Sequence, residues 1–505
     1  MSYDQEYDLF IIGGGINGCG IARDAAGRGL RVYLCEKDDL AQGTSSRSTK
    51  LIHGGLRYLE HYEFRLVRES LIEREVLLRN APHLISPLRF VLPHKKGMRP
   101  AWFLRLGLFL YDHLGGREIL EGTTTLNLQT DPVGEPLHNA FKRAFEYSDC
   151  WVDDARFVVL NAMDARDKGA TVETRTKCLS AKRRGKIWHV TVEDQRNGAV
   201  RTIKAKALIN ASGPWVQNVI EDCGLGPSKD AIRLVRGSHI IVPKMFDHDK
   251  AYIFQNGDGR IFFAIPYEKD FTLIGTTDED HSGPLTDVEI SAHEVSYLCE
   301  SAAQYFSKKV TPDDVIWSYS GVRPLYDDGA TAAQEATRDY VLKLYGDPQQ
   351  APVLHVFGGK ITTYRKLAET VMKKIRPFFT GMKGAWTAKE ALPGGRFPVD
   401  AGEMQVRQLQ NDYPFLTPAW ADRLFRAYGT NAWALFGQAH CLDDLGQAFG
   451  ATLYKQEVDY LIQNEWATTV EDILWRRSKL GLHMTADEQT QLEEYMLSLG
   501  YVLYG

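Results

Sequence analysis

Apolar positions change their spacing along the chain. Near the start they are continuous: Tyr7-Asp8-Leu9-Phe10-Ile11-Ile12 and Arg31-Val32-Tyr33-Leu34-Cys35 read as two buried strands. Between them Ala22, Ala25 and Ala26 lie on a helical segment that reaches Gly27 and Gly29. Residues 60–80 are helical in pattern and strongly charged. From about 184 the positions alternate. Trp188-His189-Val190-Thr191-Val192 leads to an Asn197-Gly198 hairpin turn, and 201–209 returns. A second sheet is predicted from runs at 234–243, 252–254, 261–263 and 271–275. Residues 324–340, with Asp327, Asp328 and Gly329, read as a loop. Leu354-His355-Val356-Phe357 is a further strand, and a helix is predicted from Ile361 to about Phe378. Leu392-Pro393-Gly394-Gly395 marks a boundary. From about 403 the period is helical with a polar outer face, which predicts a separate small helical domain. No repeat and no low-complexity tract interrupts this order.

Between the first two strands lies Gly13-Gly14-Gly15-Ile16-Asn17-Gly18, with glycines spaced as G-x-G-x-x-G. Glu36 follows 18 residues after Gly18, at the end of the second strand. A strand, a glycine turn, a helix, a strand and an acid in this order form a dinucleotide fingerprint. Gly13 permits the tight turn, Gly15 lets the backbone approach a pyrophosphate, and Gly18 lets helix and strand pack closely. The helix N-terminus offers N–H groups to phosphate, and Glu36 can accept from a ribose. Far downstream, Gly358-Gly359-Lys360 leads into a second helix. Its dipole favours negative charge at that mouth, which suits the N1–C2=O edge of a reduced flavin better than a nicotinamide. Gly43-Thr44-Ser45-Ser46-Arg47-Ser48 supplies small hydroxyls beside the fingerprint, or else is a solvated loop.

Composition narrows the class. The 505 residues predict two or three domains with a large core. A net charge of −5 argues against nucleic acid as a partner. Seven scattered cysteines without C-x-x-C fit free thiols in a reducing compartment. The first strand begins near Tyr7, so no signal or transit peptide is expected. No apolar run reaches the ~18–20 residues that span a bilayer. One stretch stands apart: Arg89, Lys95, Lys96, Arg99 and Arg105 occur with no acid between them, beside Trp102, Phe103, Leu104, Leu106, Leu108, Phe109 and Leu110. Such a segment suits a helix lying among lipid headgroups. The pattern alone narrowly favours an ordinary core helix after a basic loop. Asp278-Glu279-Asp280-His281 contains metal-ligand types but no partner spacing, so a solvated turn is expected and no metal.

Several further stretches resemble one family. Lys50-Leu51-Ile52-His53-Gly54-Gly55-Leu56-Arg57-Tyr58, Gly237-Ser238-His239, Ser320-Gly321-Val322-Arg323-Pro324-Leu325, Thr337-Arg338-Asp339-Tyr340 and Phe357-Gly358-Gly359-Lys360-Ile361-Thr362-Thr363-Tyr364 are similar to the FAD-dependent glycerol-3-phosphate dehydrogenases, the respiratory, quinone-reducing enzymes. The resemblance covers essentially the whole chain. It departs at Ser212, where that family usually has Thr.

The resemblance implies an α/β chain with a glutathione-reductase-type FAD-binding Rossmann domain of the amino-acid-oxidase superfamily, an inserted mixed β-sheet substrate domain and a C-terminal α-helical domain. An FAD-dependent region at 1–390 is expected, with FAD-binding parts near 1–80, 150–220 and 350–385. Substrate- and membrane-facing parts are placed at 81–149 and 221–349, and a C-terminal helical cap at 391–505. The cofactor-binding candidates are Gly13, Gly14, Gly15, Asn17, Gly18, Glu36, Thr44, Ser45, Ser46, Gly54, Gly55, Gly213, Gly358, Gly359, Lys360 and Thr362. Arg57, Tyr58, Arg323, Arg338 and Lys360 are expected to hold a phosphorylated substrate, because guanidinium forks match phosphate oxygens. Oxidation of a secondary alcohol moves a hydride from C2 to flavin N5 and releases a proton. His53 and His239 are the candidate bases, with Arg323 over the developing alkoxide and Lys360 as a partner of the reduced flavin.

The implied partners are glycerol 3-phosphate, ubiquinone or menaquinone, and an anionic membrane surface. A homodimer is the candidate assembly, and the expected location is the inner face of a bacterial cytoplasmic membrane, peripherally bound from the cytoplasm. Competing readings are an oxidase that uses oxygen, an amine or amino-acid oxidase of the same superfamily, a NAD-dependent dehydrogenase, and a flavin-binding regulatory or tRNA-modifying protein. The number of cations speaks against the amine oxidase, and the acidic balance against an RNA partner.

Overall fold

A computed structural model describes residues 6–95, 97–226, 231–327, 339–347 and 349–501. Lys96, Asp328, Gly329 and Arg338 lie outside the described residues.

The continuous apolar runs become the middle of a parallel sheet. Glu6–Ile12 pairs with Val32–Cys35 on one side and with Val200–Asn210 on the other. Val353–Phe357 and Thr171–Glu173 extend the sheet in parallel at either end, and Val341–Tyr345 closes one edge antiparallel. Parallel strands covered on both faces need apolar residues at every position. Leu9, Phe10, Ile11, Val32, Leu34, Leu208 and Leu354 accordingly show no more than 1% exposure. The helices Ile16–Gly27, Asp154–Asp167 and Tyr364–Ile375 pack on one face. The alternating segment Ile187–Asp194 buries every second residue, as its period requires, and forms a hairpin with Thr176–Arg184.

A second sheet of ten strands meets the segments 44–46, 213–215 and 361–363 that follow strands of the first. Its long strands are Ile85–His94, Arg143–Val152, Ile232–Pro243 and Trp317–Tyr326. They pair antiparallel in twos, and one parallel contact between Ala251–Gln255 and Ile85–His94 joins the halves. The strand Trp317–Tyr326 corrects the expectation of a loop from residue 324: Pro324 and Leu325 still pair with Leu234 and Arg233. Only one neighbour lies across from Pro324, so its missing N–H costs the sheet little.

The helix Ala101–Leu114 packs beside the helix Phe64–Asn80 and against the second sheet. Leu108 and Tyr111 point inward, with Ala101, Leu104 and Leu114 partly covered on the same face. Spacings of three and four put these on one stripe. Trp102 is 70% exposed and Phe109 52%, with Phe103, Leu106 and Leu110 beside them. This is no ordinary core helix. Tyr62 and Phe64 add to the exposed apolar surface. Among the described residues no helix is long and apolar enough to cross a membrane.

Residues 409–496 close around a core of their own, built on Leu424, Phe425, Tyr428, Leu461 and Ile473. The expected helices Gly402–Asp412, Pro418–Tyr428, Lys455–Glu465 and Ala486–Ser498 are present. Two features depart from the helical expectation. Ala448–Gly450 and Leu453–Tyr454 form a small hairpin, and Asp472–Arg477 winds as a π-helical turn. That turn carries Arg476 and Arg477, which donate to the buried Asp39, close after Glu36. Arg156 pairs with Glu465, and Arg175 with Asp472. The helical region is thus bolted to the first sheet by buried ion pairs, which are costly to leave half-formed.

Candidate active site

The glycine turn at the first strand leaves space only where no Cβ stands. A Cβ on Gly18 would sit 1.9 Å from the carbonyl oxygen of Gly13, and one on Gly13 would sit 2.6 Å from that of Ala211. At Gly15 the nearest neighbour is the Ser45 hydroxyl at 3.1 Å, so the turn stays open toward the helix mouth. Ile16 N–H donates to that same hydroxyl at 3.0 Å. Glu36 accepts from Gly14 N–H at 2.6 Å and from Asp38 N–H at 2.9 Å. Burial raises its pKa against those two bonds.

The second glycine turn meets the first. Asn17 Nδ2 donates to the Gly358 carbonyl at 3.1 Å, while Asn17 Oδ1 is buried and has no hydrogen-bond partner among the described residues. Thr362, just beyond, exchanges contacts with the backbone of His53 at 3.3–3.4 Å. Thr44 Oγ1 donates to Val322 O at 2.5 Å, which ties the hydroxyl loop to the residue before Arg323. Ser46 gives its carbonyl to Lys50, which is buried against Asp154. Gly213 has a positive φ and follows Ser212, whose Cα would lie 3.0 Å from a Cβ on Gly13. The cofactor candidates from three distant stretches therefore converge. An open glycine turn at a helix N-terminus, a carboxylate beside it and a buried amide oxygen awaiting a donor fit a bound dinucleotide.

The substrate candidates form two groups. In the first, Gly55 caps the turn Leu56–His61 and a Cβ there would strike the Tyr58 ring. The Lys360 ammonium lies 3.8 Å from the centre of that ring. Arg57 is half-buried on the same turn. Burial, helped by the positive charges of Lys360 and Arg74, pushes the His53 pKa down to about 3. In the second group, Arg323 is held by Thr276 Oγ1 at 2.9 Å, by the Thr277 carbonyl and by Asp278. Its guanidinium packs on Gly237, where a Cβ would meet Nη2 at 2.3 Å. His239 stacks on Tyr319 at 4.8 Å and shares a hydrogen bond with Thr49 at 2.9 Å. Its Nδ1 is buried with no hydrogen-bond partner among the described residues. Burial, then Arg323 and Lys50, holds its pKa well below the usual histidine value. The groups adjoin where Gly358 backs onto the Pro324 carbonyl.

Several residues around this site were not singled out by sequence. Tyr111 Oη accepts from Gly54 N–H and donates to Asp149, which also pairs with Arg74. Asp278, expected in a solvated turn, instead engages Arg323, and Asp280 pairs with Arg233. No group of three or more metal-ligand side chains occurs among the described residues. A carboxylate near arginine in space leaves no periodic signal, so neither pairing could be found from spacing.

Comparison with known proteins places the arrangement. The FAD dependent oxidoreductase family matches residues 8–365, and the C-terminal domain of alpha-glycerophosphate oxidase matches residues 385–498. A glycerol-3-phosphate dehydrogenase of Pseudomonas aeruginosa is 53% identical, over 98% of this chain and 96% of that protein. A D-erythritol 1-phosphate dehydrogenase of Brucella abortus is 51% identical, over 98% of each chain. The crystal structure of a glycerol-3-phosphate dehydrogenase from Bacillus halodurans complexed with FAD superposes with a TM-score of 0.75, at 26% identity, over 98% of this chain and 95% of that one.

Proposed function

The chain belongs to the FAD-dependent glycerol-3-phosphate dehydrogenases, and from that premise we propose that it oxidises sn-glycerol 3-phosphate to dihydroxyacetone phosphate at a membrane surface and hands the electrons to a quinone. The observation that carries the reading is the meeting of two cationic groups, Lys360 beside Tyr58 and Arg323 beside His239, where the two glycine turns adjoin. A buried dianion has to be paired, and these cations supply the pairing.

When bound, FAD would supply the two-electron acceptor for the hydride that leaves C2 of the substrate. Gly13, Gly14, Gly15, Gly18, Glu36, Ser45 and Asn17 would hold its nucleotide part, and Gly358, Gly359 and Thr362 its ring end. Arg323 and Arg57 orient the phosphate and alcohol. The proton of the C2 hydroxyl passes to a neutral imidazole, His53 or His239. Burial among cations keeps both rings neutral before substrate arrives, and a substrate dianion set against those cations would restore basicity to the ring that takes the proton. Lys360 balances negative charge that develops next to it. Arg338 is proposed as a further anchor from its sequence stretch alone.

The exposed apolar face of Ala101–Leu114 supports the quinone over oxygen as acceptor, because an enzyme that docks on lipid draws a lipid-soluble acceptor directly. The relative named D-erythritol 1-phosphate dehydrogenase defines the nearest competing substrate. Anaerobic bleaching of the bound flavin by a panel of polyol phosphates tests the reading. Bleaching by glycerol 3-phosphate at lower concentration than by erythritol phosphates or glycerol is expected. Bleaching by amino acids instead would overturn it. Oxygen uptake against reduction of a quinone analogue then separates oxidase from dehydrogenase.

A further inference from the structure

Behind Arg323 and His239 lies a carboxylate that touches neither. Glu294 is fully buried at the third position of the helix Ala292–Ala303. Its Oε2 accepts from the Ser291 N–H at 2.9 Å and the Ser291 hydroxyl at 3.0 Å, and pairs with Arg236 Nη2 at 2.8 Å. Its Oε1 accepts from Thr277 Oγ1 at 2.7 Å and Ser238 Oγ at 2.8 Å. Both Ser291 bonds stay within the N-terminal helix cap, whose capping box needs only the one from the N–H. The other three reach into the strand Ile232–Pro243 and the loop after Phe271–Gly275.

Those three lead to the candidate site by short paths. Thr277 gives its carbonyl to Arg323, and its neighbour Thr276 gives a hydroxyl oxygen to Arg323 Nη2. Thr277 Oγ1 also accepts from Ser238 N–H at 2.9 Å, and Ser238 precedes His239. Ser238 Oγ lies 2.8 Å from Ser320 Oγ on the strand that carries Arg323. One carboxylate thus fixes the strand under His239, the strand under Arg323, and the loop that grips the Arg323 guanidinium. Burial alone would raise the Glu294 pKa, but bonds from Ser291, Thr277 and Ser238 outweigh it and hold the group ionised.

We propose that Glu294 is a positioning residue for the reaction, setting the orientation of the Arg323 guanidinium through Thr277 and Ser238. The inference rests on the reading of Arg323 as a substrate anchor given above. A misplacement of about 1 Å can cost on the order of a hundredfold in rate, so a hub that fixes both reacting-side strands has leverage out of proportion to its distance.

The test is a double-mutant cycle between Glu294→Gln and Arg323→Lys, read as kcat and KM for sn-glycerol 3-phosphate with a soluble acceptor, with flavin content and melting temperature measured alongside. Glutamine keeps the shape and one acceptor but puts an NH2 against either Arg236 and the Ser291 N–H or the two hydroxyls. Flavin content should stay at wild-type level, because the glycine turns lie elsewhere. The single Glu294→Gln variant should lose tenfold or more in kcat/KM. The double variant should lose little beyond Arg323→Lys alone, since an arginine already replaced cannot be mispositioned. Losses that multiply, or a Glu294→Gln variant within twofold of wild type, would overturn the proposal while leaving Arg323 as the anchor. Wild-type turnover by Arg323→Lys would overturn both the proposal and the reading beneath it. If Glu294→Gln does not fold, Thr277→Val removes a single hydroxyl from the same path and takes its place in the cycle with the same expected outcomes.

Discussion

Gly54 N–H donates to the hydroxyl of Tyr111 at 2.8 Å, which joins the turn after His53 to the inward face of the helix whose outward face is bare and apolar. The hydroxyl in turn donates to both oxygens of Asp149, at 2.8 and 2.9 Å, and Arg74 holds Asp149 from the other side. Tyr111→Phe leaves Gly54 N–H with only a 3.3 Å contact to Asp149 and strips a donor from a buried carboxylate. Leaving such a group short of a partner costs about 1–3 kcal/mol. Thermal unfolding should show that loss, and kcat should fall because the His53 turn is freed. An unchanged melting temperature with unchanged kcat would show the hydroxyl to be dispensable.

The outward face makes its own prediction. Trp102 and Phe109 are more than half exposed, so replacing both by aspartate leaves the core untouched. Attachment to anionic vesicles draws on buried apolar area and on roughly 1 kcal/mol from each nearby basic residue. The double variant should stop co-sedimenting with such vesicles yet keep wild-type activity with a soluble acceptor. Raising the salt should weaken attachment of the wild-type protein as well. Undiminished co-sedimentation would remove this helix as the docking surface.

How much of this is legible in the sequence follows from how local each feature is. The turn at Gly13–Gly18 and its acid are readable because strand, turn, helix and strand are consecutive, and each glycine has a steric reason visible from spacing. The exposed face of Ala101–Leu114 is half legible: its composition suggests lipid, but only packing tells which stripe faces inward. Tyr111, Asp149 and Glu294 are not legible. Their bonds cross to strands far away in the chain, and a carboxylate on a helix or strand looks the same whether it faces water or a buried hydroxyl. The same holds for Asp278, which a local reading takes for a solvated turn and the fold places on Arg323. The second sheet is readable as alternation, but the continuation through Pro324 is hidden because proline is a strand breaker everywhere except at places with a free side.

Histidines in this chain predict a pH dependence of stability. His53 and His83 are pushed down to about 3 by burial, the first aided by Lys360 and the second by Arg156, and His239 also lies well below 6.5. The unfolded chain binds protons near pH 6.5 that the folded chain refuses. Stability is therefore complete above about 6.5 and falls as pH drops toward 3, with a slope of up to about 1.4 kcal/mol per pH unit for each such group. Melting temperatures of the holoprotein between pH 7.5 and 5 should decline accordingly. His83→Leu should flatten part of that slope, because neither ring nitrogen has a hydrogen-bond partner among the described residues to lose. A flat profile would mean that these rings are charged in the folded state.

Cofactor loading follows from the glycine turn. Among the glycines of the turn Gly15 meets the mildest local contact, the Ser45 hydroxyl at 3.1 Å, against 2.6, 2.8 and 1.9 Å at Gly13, Gly14 and Gly18, and it stands at the helix mouth where a pyrophosphate is expected. Gly15→Val should fold with the sheet intact and bind FAD weakly or not at all. Flavin content after purification, and its recovery on adding FAD, measure this directly. Full occupancy at wild-type affinity would move the pyrophosphate away from this turn.

The substrate pocket yields the sharpest prediction, because it turns on the shape of one cation. Arg323 is gripped by Thr276, Thr277 and Asp278, so its fork is oriented before any substrate arrives. A planar guanidinium can meet two phosphate or alkoxide oxygens at once, whereas an ammonium is a point charge with a mobile stem. Arg323→Lys should therefore keep the charge but lose most of the benefit, with kcat/KM for glycerol 3-phosphate falling on the order of a hundredfold, and Arg323→Ala should fall further. If Arg323 acts on the developing alkoxide, the loss should appear in kcat; if it holds only the phosphate, it should appear in KM. Unphosphorylated glycerol should be a very poor substrate for the wild-type protein, since it brings no phosphate for these cations to recognise. Steady-state kinetics of both variants with both compounds decides the matter. Wild-type rates for Arg323→Ala, or oxidation of glycerol nearly as fast as of its phosphate, would show that the pocket is not built for a phosphate.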